Sequence, residues 1–88
     1  MPHSDESRQK LEDVWRERVD EAFQRYERAK AESAKALAEC LANPSDETIR
    51  ALKCAHRVED QAVQDYMRAL QIFHALIVEG KHPPDTWP

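Results

Sequence analysis

Eighty-eight residues leave room for one domain, and a lone chain of this length buries too little surface to be more than marginally stable. Charged residues make up 34% of it, glycine occurs once and the formal net charge is -4 with both signs interleaved. That is the make-up of long solvent-exposed helices, and it argues against a duplex nucleic-acid surface, which needs a basic face. No run of about 18 apolar residues is present, so no membrane helix is expected. The start, Met1-Pro2-His3-Ser4-Asp5-Glu6, is polar and acidic and does not read as a signal peptide.

The pattern predicts a first helix over about residues 5–42. Ser4 offers an N-cap hydroxyl, and Asp5 and Glu6 suit the positive end of the helix dipole. From Arg8 to Ala42 neither Gly nor Pro interrupts. Apolar residues recur there in steps of three and four, at Leu11, Val14, Trp15, Val19, Ala22, Phe23, Tyr26, Ala29, Ala36, Leu37, Cys40 and Leu41, which marks one helical face. Glu12–Arg16, Glu21–Arg25 and Arg28–Glu32 are spaced to pair along the polar side, for a few tenths of a kcal/mol each.

Asn43-Pro44-Ser45 is the one strong break. Pro44 lacks an N–H and pushes Asn43 out of the helical region, while Ser45 is placed to cap a second helix. That helix is predicted over about residues 46–79, with Ile49, Leu52, Ala55, Ala62, Val63, Tyr66, Ala69, Leu70, Phe73, Leu76 and Ile77 as its periodic set. Gly80 closes it, and residues 81–88 read as an extended Pro-rich tail ending in Trp87-Pro88. The fold class is therefore all-α: a long antiparallel two-helix hairpin over residues 1–80, dimerising into a four-helix bundle.

A turn near residue 44 opposes residues whose numbers add to about 88. Tyr26 then faces Ala62, Tyr66 faces Ala22, Trp15 faces Phe73, Val19 faces Ala69 and Ala29 faces Glu59. An internal repeat fits this reciprocity: residues 20–29 and 60–69 share Asp, Ala, Gln, Tyr, Arg and Ala at a constant offset of 40. Large opposite small fills space without strain. The same register sets Cys54 about six residues past the level opposite Cys40, roughly 9 Å along the axis. That is too far for a disulfide, which needs Cα atoms within about 7 Å. Two free thiols and a reducing, cytoplasmic location are expected.

The large apolar residues gather toward the open end, and a two-helix contact covers only a narrow stripe of each helix. Val63, Leu70, Ile72 and Ile77 would stay wet in an isolated hairpin. A homodimer is the economical solution. Leu11, Trp15, Val19, Phe23, Val63, Leu70, Phe73, Ile77 and Trp87 are its expected interface, with Trp87 able either to fold back or to bind a partner.

Chemistry-bearing patterns are sparse. His56, Glu59 and Asp60 share a helix face at metal-ligand spacing, and Glu59 falls on the seam. The more economical expectation is a structural Glu59 paired with His56 or with Lys30 across the seam, since buried charges are normally paired. Cys54 and His56 point about 200° apart on a helix and cannot chelate one ion. No Ser-His-Asp set, Gly-rich phosphate loop or Cys-x-x-Cys motif occurs. A non-enzyme without a cofactor, acting through protein–protein interaction, is expected; the alternative is a metal-binding or catalytic bundle using His56 and Glu59.

Leu41-Ala42-Asn43-Pro44-Ser45-Asp46 is similar to the Pro-containing turn of type III secretion needle subunits, which are small helical hairpins. The likeness spans only this turn. Those chains end in an apolar helix used for polymer packing, where this one has Gly80 and a Pro-rich tail, and no family is assigned on it.

Overall fold

The computed structural model describes residues 2–83, with side chains from Ser7 to Pro83. It is an all-α hairpin measuring 63 × 17 × 16 Å. Helix α1 runs Pro2–Ala42 and helix α2 runs Asp46–His74, continued by a π-helical turn, Ala75–Glu79. Trp87 and most of the Pro-rich tail lie outside the described residues. Helix α1 begins before the expected Ser4 cap. Pro2 suits a first turn, where the missing N–H has no partner to lose.

The connection is short and tightly bonded. The Asn43 N–H donates to the Glu39 carbonyl at 2.9 Å, closing α1. Ser45 is extended, with φ -156° and ψ 166°, and its hydroxyl accepts from the Thr48 N–H at 3.1 Å. The Ser45 N–H donates back to Thr48 Oγ1 at 2.9 Å. This reciprocal capping box satisfies two donors that a helix start would otherwise leave open, with Thr in the position more often held by Glu or Gln. Thr48 Oγ1 also lies 3.0 Å from the Asn43 carbonyl, which it can reach as donor, tying the end of α1 to the start of α2.

The seam between the helices follows a seven-residue repeat. Written as a heptad, α1 places Trp15, Ala22, Ala29 and Ala36 at d and Val19, Tyr26, Ser33 and Cys40 at a. Helix α2 places Thr48, Ala55, Ala62, Ala69 and Leu76 at d and Leu52, Glu59, Tyr66 and Phe73 at a. Every one of these is buried or half-buried. A repeat of 3.5 residues per turn keeps one face against a partner helix along its whole length, as in a coiled coil. Opposed a and d residues have numbers that add to 88 at each level. The cross-helix contacts agree: Phe23 meets Tyr66, and the Arg16 guanidinium lies 5.8 Å from the Phe73 ring centre.

Alanine dominates the d positions, so the helices approach closely and the buried payload is small. The large exceptions are Trp15, only 2% exposed opposite Phe73, and Leu76, 3% exposed, both near the open end. The two tyrosines do not sit apart, each in its own alanine notch. They stack on each other, with ring centres 6.1 Å apart and planes 9° from parallel. Phe23 tilts onto Tyr66 at 5.3 Å. Alanine leaves more room than one ring fills, so rings from neighbouring levels lean into a common cluster.

Near the start of α1 the expected Glu12–Arg16 pair gives way to other partners. Glu12 pairs with Arg8 at 3.2 Å and Arg16 with Asp13 at 3.2 Å, so Glu12–Arg16 does not form. At the open end the Arg8 guanidinium comes within 3.4 and 3.5 Å of the Ile77 and Leu76 carbonyls. Those oxygens belong to the π turn. Gly80 ends it at φ 68° and ψ 18°, a left-handed conformation that side chains disfavour, and the Gly80 and Lys81 N–H groups donate to the Ala75 carbonyl.

Two stability outcomes are expected from urea unfolding. Tyr66→Ala removes contacts with both Phe23 and Tyr26, and is expected to cost about 2–3 kcal/mol, against about 1–2 kcal/mol for Tyr26→Ala, because both rings are half-buried. Equal costs would contradict the shared cluster. Ser45→Ala is expected to cost about 1 kcal/mol through loss of the cap.

Candidate interaction surface

An antiparallel helix pair has two flanks, and in this hairpin they differ in chemistry. The contacts of Arg16 and Phe23 with Phe73 and Tyr66 define one flank, formed by the e positions of both helices. On α2 these are Ile49, His56, Val63, Leu70 and Ile77. On α1 they are Arg16, Phe23, Lys30 and Leu37. The opposite flank is formed by the g positions. Arg25 and Glu32 of α1 and Val58 and Asp65 of α2 border a groove there, floored by Ala29, Ala55 and Ala62.

The e flank is an apolar stripe. Phe23, Leu37, Ile49, Leu70 and Ile77 are each between 37% and 43% exposed, and Val63 is half-buried beside them. Other exposed apolar residues, such as Leu41, Val58 and Met67, lie off this line.

The residues expected at an interface fall into three groups. Phe23, Val63, Leu70 and Ile77 lie on the apolar flank. Trp15, Val19 and Phe73 belong to the seam, and Trp15 is buried, with the Arg18 guanidinium 4.8 Å from its ring centre. Leu11 is half-buried at the open end, close to Arg8, Leu76 and Gly80. Trp87 lies outside the described residues. Leu37 and Ile49 share the flank without having been expected there. Their signal was available in the seven-residue spacing of Phe23 with Leu37 and of Ile49 with Val63, Leu70 and Ile77.

His56 is exposed, Asp60 is exposed and Glu59 is half-buried in the seam. The expected pairing of Glu59 with His56 or Lys30 is not made: Glu59 forms no hydrogen bond or ion pair with any described residue. Its carboxylate keeps access to water, so no partner is required. Among the described residues, no three His, Cys, Asp or Glu side chains gather into a group able to hold a metal ion. No described helix is long and apolar enough to cross a membrane. Cys40, half-buried, and Cys54, exposed, are both free thiols.

Comparison with protein-family models, with curated proteins and with solved structures returns no match.

Elemental analysis of protein purified without a metal-affinity tag is expected to find well under one metal ion per chain. A stoichiometric metal that disappears in Glu59→Ala would make His56, Glu59 and Asp60 a metal site instead.

Proposed function

We propose that this protein is a small homodimerising helical hairpin that acts through protein–protein interaction, as an adaptor, scaffold or regulator. One observation carries the reading: the apolar stripe on a single flank, running from Ile49 and Leu37 near the turn to Ile77 near the open end. Scattered exposed apolar residues are ordinary on a monomer, but apolar residues repeated along one flank of both helices are not. Two hairpins laid flank to flank would cover it and form a four-helix bundle. The opposite flank, bordered by Arg25, Glu32 and Asp65, would stay in solvent and be free to meet other proteins. The two free thiols suit a reducing, cytoplasmic setting.

Light scattering during size exclusion tests this directly. The native chain is expected to run at twice its 10.2 kDa mass at micromolar concentration. Leu70→Glu is expected to weaken the dimer at least tenfold, a change of about 1.4 kcal/mol or more. Val58→Glu, on the other flank, is expected to leave it unchanged. A native monomer, or equal loss in both variants, would overturn the reading.

A further inference from the structure

We propose that the second copy lies on this flank turn beside turn, the two hairpins being related by a two-fold axis parallel to their helices. This orientation rests on the self-association reading above. Arg16, at one polar break in the apolar stripe, is already paired with Asp13 and lies over the Phe73 ring of its own chain. The other break falls at the same level on both helices. Lys30 interrupts α1, and His56 interrupts α2 opposite residue 32 in the 88 register. Glu59 and Asp60 occupy that level as well. None of the four makes a hydrogen bond or ion pair with a described residue of its own chain. Covering this level with apolar side chains would strip water from charges without replacing it.

Two kinds of two-fold axis lay the flank of one copy on that of another. A parallel axis keeps every level opposite itself and sets α1 over the partner's α2. Lys30 then meets the partner's Glu59 and Asp60, Phe23 meets the partner's Val63 and Leu70, and Leu37 meets the partner's Ile49. Lys30 meets opposite charge, and Phe23, Leu37, Ile49, Val63 and Leu70 meet apolar side chains. Exposed pairs of this kind act chiefly by excluding wrong registers and orientations.

A crosswise axis reverses the levels. To bring the polar level onto itself it must pass through that level, and Ile77 then lies beyond the partner's turn, uncovered. Sliding the axis to the level of Val63 restores the cover. It also sets Glu59 against the partner's Met67 and His56 against the partner's Leu70, leaving both polar groups on apolar neighbours. The polar interruption therefore selects the parallel axis, and with it a dimer whose two turns share one end.

Spin labels at the two ends of the hairpin test the orientation. Single thiols are introduced as Ser7→Cys or Asn43→Cys, both exposed positions, in a Cys40→Ser, Cys54→Ser background, with helicity checked by circular dichroism. With a parallel axis, both labelled pairs are expected within about 30 Å in pulsed dipolar measurements, since neighbouring helix axes in a bundle lie about 8–10 Å apart. With a crosswise axis, the two separations add to about 110 Å wherever the axis passes, so at least one exceeds about 50 Å. A dimer with one long separation overturns the orientation and leaves self-association standing. A monomer without dipolar coupling overturns both.

Discussion

The seam sets the terms for everything else in this hairpin. Alanine at d on both helices lets the backbones come close, and an unbroken 3.5-residue repeat keeps them in contact over the length of the molecule. Close approach has a consequence. The side chains that make it possible bury little apolar surface, so each level of the ladder is weakly stabilised. Larger contributions come from a few places: Trp15 and Leu76 near the open end, the cluster of Phe23, Tyr26 and Tyr66 in the middle, and the capping box at the turn. A chain of this size has no second layer to draw on.

A tight, alanine-lined seam also pushes larger apolar side chains outward. The e positions flank the seam, and there Phe23, Val63, Leu70 and Ile77 stay partly in water. The opposite flank mixes Arg25, Glu32 and Asp65 with Val58 at the corresponding places. Both flanks border the same seam, so proximity to the seam alone does not explain the difference between them. It is written into the sequence at seven-residue spacing, and a functional argument can rest on it where the composition as a whole is silent.

Much of the fold is legible in the chain itself. Pro44 in a Gly-free, Pro-free stretch fixes the place of the turn, and the steps of three and four fix the faces, because both follow from backbone sterics and helix geometry. The register of 88 comes from the same source. Finer features need the third dimension. The stacking of Tyr26 on Tyr66 depends on how much room alanine leaves, which spacing does not reveal. The unpaired Glu59 depends on residual water access, which a helical wheel cannot measure. The π turn at Ala75–Glu79 has no simple sequence signal, and it involves carbonyls that Arg8 approaches from the other helix. The interaction surface is half legible. Its large residues at the open end stand out, while Leu37 and Ile49 near the turn read as seam residues until their seven-residue spacing with Phe23 and Val63 is followed.

The turn therefore does more than reverse the chain. In an antiparallel pair the e positions of one helix lie beside the e positions of the other, but only when the heptads of both helices are in phase across the connection. Ser45 and Thr48 hold that phase through their reciprocal bonds, with the Asn43 carbonyl within reach of the same hydroxyl. A connection one residue longer or shorter would rotate α2 by about 100° relative to its present phase. Ile49, Val63, Leu70 and Ile77 would then leave the side on which Phe23 and Leu37 stand, and two half-stripes on different sides would replace one stripe. The apolar flank is thus a property of three connecting residues as much as of the residues that form it.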